Sequence, residues 1–215
     1  MRRAEAKEAN RRALLDAATA LIAREGAGVR LEAIAEAAGL TTGAIYSIFG
    51  SKSDLLVAVL ADEISRVDLV SQGHDPARPL AVVIDQYLQT WIATYRDYSA
   101  TQVAFELHLV LSAMDNEELR LRLASLLDAD TGQLARLLEN RIIDPTRPSD
   151  RTTSQQAVAI ATALKAVLTG FGLREPFTAD VPGLAELARQ SCLALTALAV
   201  PDRVTGSSGL SPGPR

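Results

Sequence analysis

Residues 31–49 of the chain read LEAIAEAAGLTTGAIYSIF, and this stretch decides the fold. Apolar side chains recur at helical spacing from residue 31 to residue 38. Gly39 can adopt the left-handed backbone conformation that ends a helix, and Thr41 or Thr42 can cap the helix that follows. The stretch therefore predicts two short helices joined by a turn of about three residues. This is the layout of a helix-turn-helix, whose second helix enters the major groove of DNA.

The residue types on the two helices suit that arrangement. Ala35 and Ala38 are small enough for the helices to cross closely, and Ile45 is expected to face inward. The outward face of the second helix is predicted to consist of Thr42, Gly43, Ala44 and Ser47. These short side chains let the backbone approach base edges, and hydroxyl groups can hydrogen-bond to bases.

The flanking sequence predicts more helices. A first helix over residues 8–25 ends at Gly26, and Ser51 to Asp54 has the form of a capping box that starts a helix reaching about residue 70. Longer helices are predicted over residues 80–97, 99–113, 117–143, 154–169 and 182–199. The connections over residues 71–79, 144–153 and 170–181 are predicted to be loops without strand alternation, and residues 201–215 a disordered tail.

Composition agrees with an all-α fold, because the apolar residues are mostly Ala and Leu. One cysteine cannot form an intrachain disulfide, and one cysteine with two histidines cannot assemble a zinc site. No segment approaches 18 uninterrupted apolar residues and the N-terminus is charged, so we expect a soluble cytoplasmic protein with no membrane association. The net charge is −4, but residues 1–54 are slightly basic and the remainder is acidic, as in a modular DNA binder.

The sequence IAEAAGLTTGAIYSIFGSKSDLL over residues 34–56 resembles the signature of the tetracycline-repressor (TetR) family. The shared features are an Ile-Ala pair, an Ala-Gly-Leu-Thr turn, a glycine on the recognition helix, Ile-Tyr, Phe and a Ser-Lys-x-x-Leu segment. The close match covers roughly residues 10–60. It implies a three-helix DNA-binding domain over residues 1–52, a helical ligand-binding and dimerisation domain over 53–200 and a tail over 201–215.

The resemblance also implies roles for individual residues. Those expected at or near base edges are Thr41, Thr42, Gly43, Ala44 and Ser47. Tyr46 is expected to contact phosphate through its hydroxyl, and Lys52 through its charge at a helix N-terminus. Arg30 stands where the second helix of the family usually begins with Ser or Thr, so it is a candidate for a direct phosphate contact. The recognition helix carries no Arg or Lys, so affinity would depend more on Arg30, Lys52 and the N-terminal arginines Arg2, Arg3, Arg11 and Arg12.

In the second domain, the resemblance implies an apolar effector cavity. The candidate lining residues are Tyr87, Trp91, Tyr95, Phe105, His108 and Phe171. The alternative is that these aromatic residues form ordinary core and that His108 is a hydrogen-bonded buried histidine. Cys192 is expected to be a small buried residue. The last two helices are expected to form the dimer, with close packing at Ala157, Ala161, Ala163, Ala194 and Ala197.

These features predict a ligand-responsive DNA-binding transcriptional regulator, acting as a repressor. It would bind a near-palindromic double-stranded operator as a homodimer and be released by a small, largely apolar effector. One alternative is an interaction module of the same fold that has lost operator binding. An enzyme is not expected, because the sequence contains no glycine-rich phosphate loop, no GxSxG and no HExxH, and no cofactor is implied.

Overall fold

The computed structural model describes residues 2–65, 75, 77–95, 100–179 and 181–199. The helices in these ranges are α1 (Arg2–Glu25), α2 (Leu31–Ala37), α3 (Thr42–Phe49), α4 (Lys52–Ser65), α5 (Leu80–Tyr95), α6 (Ala100–Met114), α7 (Glu117–Leu138), α8 (Ser154–Gly172) and α9 (Val181–Ala199). One antiparallel hairpin joins β1 (Ile142–Asp144) to β2 (Arg147–Arg151). The predicted all-α fold is confirmed. The predicted tail over residues 201–215 lies outside the described residues.

The local signals around the short helices have the predicted geometry. Gly26 and Gly39 have φ angles of 73° and 67°, a backbone region that costs residues with a Cβ atom free energy. Thr41 is the N-cap of α3, since its Oγ1 accepts a hydrogen bond from the Ala44 N–H at 3.3 Å. At the start of α4, the Ser51 Oγ accepts from the backbone N–H of Asp54 at 3.0 Å. The residues near each of these helix ends therefore predict its position correctly.

The end of α7 is different from the prediction. The predicted helix over residues 117–143 stops at Leu138, and the hairpin from Ile142 to Arg151 replaces the end of that helix and most of the predicted loop over 144–153. The sequence over residues 147–151 reads RPSDR and shows no apolar alternation, so no side-chain pattern indicated a strand. The hairpin depends on backbone pairing, which is not visible in such a pattern.

Two buried polar residues explain why α7 ends there. Arg141 is only 3% exposed, and its Nε donates a hydrogen bond to the carbonyl oxygen of Leu137 at 2.7 Å. Thr152 is also buried, and its hydroxyl donates to the carbonyl oxygen of Leu138 while accepting from the Arg141 N–H. These side chains satisfy carbonyl groups that the last turn of a helix leaves unpaired. They fasten the hairpin to the end of α7.

The buried side chains form two clusters that do not coincide with the predicted domains. The first contains residues of α1 to α4 and also Phe105 and Leu109 of α6 and Leu119 and Leu123 of α7. The second is formed by α5, the C-terminal half of α7, α8 and α9. Because α6 completes the core beneath the helix-turn-helix, buried packing continues across residues 52 and 53. The functional division at that point stays a prediction.

Three smaller findings bear on function. Among the described residues, no group of three or more His, Cys, Asp and Glu side chains is placed to hold a metal ion. No single described helix is long and apolar enough to cross a membrane. The pair α3 and α4, which are bent by 70° relative to each other, is long and apolar enough by length and composition alone. Cys192 is fully buried as predicted, and burial raises the pKa of its thiol to about 11.

Candidate nucleic-acid interface and ligand cavity

The outer face of α3 is a small exposed surface held in place by one buried residue. Ile45 is fully buried in the first core cluster and fixes the rotation of the helix about its axis. Tyr46 is 55% exposed. Thr41, Gly43 and Ser47 are also exposed, whereas Thr42 and Ala44 are half-buried. The predicted base-edge residues and Tyr46 therefore lie along one short helix and the turn before it.

The turn between α2 and α3 is closed by backbone hydrogen bonds. The N–H of Leu40 donates to the carbonyl oxygen of Ala35 at 2.8 Å, and that of Gly39 donates to Glu36 at 3.0 Å. Ala35 is almost completely buried, so the two helices cross closely at this small side chain, as predicted. With its backbone groups paired and its underside packed, the turn presents the outer face of α3 as a fixed surface.

The two cations predicted to contact phosphate have different surroundings. Arg30 is exposed and is the N-cap residue of α2, with an extended backbone and no side-chain capping hydrogen bond. Lys52 is half-buried, and its Nζ donates a hydrogen bond to the carbonyl oxygen of Val29 at 2.6 Å. Lys52 thus ties the start of α4 to the segment before α2. Sequence reasoning missed this contact, since no local pattern links residues 23 positions apart.

The described N-terminal arginines are engaged within the chain. The guanidinium carbon of Arg11 lies 5.0 Å from the centre of the Phe49 ring at the end of α3. Arg12 pairs with Asp16 at 2.6 Å and with Asp62 of α4 at 2.7 Å. The side chains of Arg2 and Arg3 lie outside the described residues. The contacts of Arg11 and Arg12 join α1 to the two helices that follow the turn.

A cavity of about 620 Å³ lies between α4, α5, α6, α7 and α8. Its volume falls in the range typical of small-molecule sites. Most of its wall is apolar, with Leu60, Ile64, Trp91, Val103, Leu109, Val110, Met114, Leu123, Leu127 and Leu168 among the lining residues. Four charged side chains also line it, namely Glu106, Arg120, Asp130 and Lys165.

The residues predicted to bind an effector are not brought together. Trp91 lines the cavity, whereas Tyr87 and Phe105 are fully buried away from its wall. Phe171 is half-buried against the second core cluster, and the side chain of Tyr95 lies outside the described residues. The alternative of a buried His108 is wrong. His108 is on the exposed face of α6, with its Nε2 3.4 Å from the Ser112 hydroxyl.

An ion pair on the cavity wall was not found from the sequence. Nζ of Lys165 on α8 lies 2.6 Å from Oδ2 of Asp130 on α7, and the lysine side chain also lies over the Tyr87 ring at 5.7 Å. One signal was available, because Lys165 is the only charged residue within α8. A lone cation on an otherwise apolar helix requires a partner when it is buried.

The comparisons agree with the geometry of the short helices. Residues 14–59 match the family described as bacterial regulatory proteins, tetR family. This segment, which contains α2 and α3 and parts of α1 and α4, is therefore similar to the tetR-family model. A stretch of 72 residues of the chain is 40% identical to the helix-turn-helix-type transcriptional repressor KstR of Rhodococcus jostii (strain RHA1). That match covers 33% of each chain, so the chain spans about a third of the length of the curated relatives it matches.

Solved structures of transcriptional regulators share the fold over most of this chain. A TetR transcription regulator from Haloarcula marismortui has a TM-score of 0.62 and 19% identity, covering 88% of this chain and 97% of that one. A proposed transcriptional regulator from Saccharomonospora viridis has a TM-score of 0.60 and 20% identity, covering 84% and 93%. At these identities the likeness concerns the fold, including the helices beyond residue 59.

We expect Lys52→Met to lower the stability of the folded chain. The substitution keeps the apolar stem but removes the charged donor to Val29 O, and hydrogen bonds to charged groups contribute roughly 1.5–3 kcal/mol. Since Lys52 is half-buried, we expect a loss of about 1–2 kcal/mol in the free energy of urea unfolding. Lys7→Met on the exposed face of α1 is the control. Equal stability of the two variants would contradict an anchoring role for Lys52.

Proposed function

We propose that the chain is a ligand-responsive transcriptional repressor that binds a near-palindromic operator as a homodimer and releases it when a small, largely apolar effector binds. The proposal rests above all on the exposed face of α3, which is anchored by the buried Ile45 and bordered by a closed turn. An exposed, rigid helix with short side chains suits entry into the major groove.

The contacts with DNA are assigned by position on this face. Thr41, Gly43 and Ser47 are exposed, so their hydroxyls and backbone can reach base edges, with Thr42 and Ala44 beside them. The exposed hydroxyl of Tyr46 is assigned to a phosphate, as are the exposed Arg30 and the charge of Lys52 at the start of α4. Phosphate contacts of this kind position the helix, and contacts at base edges supply sequence preference.

The homodimer is proposed to form through α8 and α9. Outside the cavity wall, α8 exposes Ser154, Gln155, Val158, Ala159 and Gly170, whereas its exposed Thr162, Ala166 and Thr169 line the cavity. The exposed residues of α9 are Pro182, Gly183, Glu186, Leu187, Gln190 and Ala194. The prediction that Ala157 and Ala161 pack between subunits is wrong, because both are buried in the chain's own core. Their neighbours Val158 and Ala159 offer a small-residue face to a second copy instead, and the side chain of Ala197 lies outside the described residues.

The effector is proposed to act through α4. Leu60 and Ile64 of this helix line the cavity, and Lys52 at its other end is anchored next to the helix-turn-helix. Arg122 of α7 also pairs with Asp54 near the start of α4. An effector that binds better to a state with displaced recognition helices weakens DNA binding, by roughly 1–3 kcal/mol of coupling in typical cases. The relative from Saccharomonospora viridis was solved with choline, so this fold can accommodate a small molecule.

Selection from a random duplex pool tests the proposal and needs no candidate operator. The purified protein should sediment as a dimer and enrich a near-palindrome whose half-sites lie about one helical turn apart. DNase footprinting and a gel shift with the region upstream of its own gene should reveal protection of the same sequence. Failure of the folded dimer to enrich any duplex at low salt would contradict operator binding.

A second candidate function follows from the composition of α3, which contains no Arg or Lys. A protein that retained the fold as an interaction module would not need these cations on its recognition helix. The double variant Tyr46→Phe with Lys52→Met distinguishes the two. Unchanged regulation of target genes in cells by this variant would favour the interaction module, whereas loss of regulation by a folded variant would favour the repressor.

A further inference from the structure

We infer that the cavity selects an elongated, uncharged molecule with a hydroxyl group at one end, and that the Lys165–Asp130 pair recognises this hydroxyl. The inference deepens the proposed function, because it specifies the chemical class of the effector. Three features support the inference: the balance of charge on the cavity wall, the hydrogen bonds available there and the length of the cavity.

The charge on the wall is already balanced. Two cationic side chains, Arg120 and Lys165, and two anionic ones, Glu106 and Asp130, line the cavity, and Arg120 also pairs with Glu117 at 3.3 Å. Lys165 and Asp130 contact each other at 2.6 Å, and their side chains are only 23% and 11% exposed. A ligand carrying a net charge would bring an uncompensated charge into this partly dry space, where charges without partners are costly. Neutral ligands avoid this cost.

The pair retains hydrogen-bonding capacity on both sides. An ammonium group has three N–H donors and a carboxylate has about four acceptor positions, so one mutual contact leaves both Lys165 and Asp130 able to bind another group. A hydroxyl can accept from the lysine and donate to the carboxylate at once. A carboxylate ligand can only accept hydrogen bonds, and its negative charge would lie next to that of Asp130. A quaternary ammonium can neither donate nor accept a hydrogen bond.

Two threonines that line the cavity also favour a ligand that donates a hydrogen bond. The Thr131 hydroxyl donates to the carbonyl oxygen of Leu127 at 2.8 Å, and the Thr162 hydroxyl donates to that of Val158 at 2.9 Å. Since each has committed its single proton within its own helix, each can offer only lone pairs to a ligand. Both line the cavity. A ligand hydroxyl, which supplies a proton, therefore fits better here than a ketone or an ether.

The length of the cavity wall favours an extended molecule. Its lining residues on α7 extend from Arg120 to Thr131, a span of roughly 16 Å at 1.5 Å per residue. The Lys165–Asp130 pair lies towards one end of this span. Between the ends the wall is apolar, and at Val110 and Met114 it opens towards solvent, since these side chains are 50% and 69% exposed. The apolar body of the ligand would extend along this wall.

The single tryptophan makes a direct test possible. Trp91 lines the cavity and is the only tryptophan of the chain, so its fluorescence reports on occupancy without any DNA in the assay. The probes are 1-decanol, decanoate and decyltrimethylammonium, which share one chain length and differ in charge. Half-saturation by 1-decanol is expected at a concentration at least about 10-fold below that of either ion. Absence of 1-decanol binding, or equal or tighter binding of decanoate, would overturn the inference.

Two variants of the Lys165–Asp130 pair change the charge of the cavity wall in opposite directions and so test the charge argument. Asp130→Asn leaves the wall with an excess positive charge, so decanoate binding should improve relative to 1-decanol. Lys165→Met leaves an excess negative charge, so decyltrimethylammonium should improve instead. The control is Arg189→Met, which breaks the 2.9 Å ion pair with Asp85 outside the cavity lining. It should keep the wild-type order of affinities for the three probes. An unchanged order in both Asp130→Asn and Lys165→Met would show that the pair does not recognise the ligand.

The outcome is separable from the proposed function. If duplex selection fails while 1-decanol still binds with the expected order, the regulatory proposal falls and the assignment of the ligand class stands. If an operator is found and 1-decanol does not bind, the ligand class is wrong and the DNA-binding proposal stands.

Discussion

Phe105→Ala is expected to lower the free energy of unfolding by roughly 3–5 kcal/mol, the usual cost of truncating a buried phenylalanine. Phe105 is fully buried on α6, and it belongs to the same core cluster as Leu14, Ile34 and Leu55 of the helix-turn-helix region. Truncation leaves a cavity between helices that are fixed by their other contacts, so the space cannot close completely.

Leu107→Ala is the matched control for this prediction. Leu107 lies two residues further along α6 and is 42% exposed, so its truncation is expected to cost no more than about 0.5 kcal/mol. Urea denaturation followed by circular dichroism measures both variants. A loss at Phe105 of less than about 1 kcal/mol, by the same core-truncation scale, would mean that α6 does not complete the core beneath α3.

Gly43→Glu is expected to weaken operator binding by roughly 100-fold or more, because like charges brought together at an interface cost several kcal/mol. Gly43 is exposed in the first turn of α3, and its new carboxylate would face the phosphate backbone in the proposed complex. Folding should be unaffected. A Cβ atom at this position would have the Thr41 Oγ1 as its nearest neighbour at 3.6 Å, an ordinary contact, and glycine is the weaker helix former.

Ala20→Glu provides the control for charge. It adds one carboxylate at an exposed position of α1 outside the proposed interface, so its operator affinity should remain close to that of the wild type. Fluorescence anisotropy with the selected operator, at one fixed salt concentration, compares the three proteins. If Gly43→Glu bound the operator as tightly as Ala20→Glu does, α3 would not be the helix that enters the groove.

The effector residues show where prediction from the sequence stops. Helical spacing correctly indicates that Tyr87 and Phe105 are buried, but it does not say whether a buried side chain meets a cavity or a neighbouring helix. That distinction depends on how distant helices pack. Trp91 lines the cavity because α5 packs against Gly172 of α8. A Cβ atom added at Gly172 would lie only 3.7 Å from the Trp91 indole.

The short helices around the turn were determined by the sequence alone, because their signals are local. A left-handed glycine at residue 39, a threonine cap at residue 41 and apolar spacing act within a few residues of each other. Tertiary structure alone decided the rest: the completion of the first core by α6, the hairpin fastened by Arg141, and the meeting of Lys165 with the distant Asp130. The physical reason is that burial and charge pairing depend on which surfaces meet, and no periodicity along one helix encodes its partner.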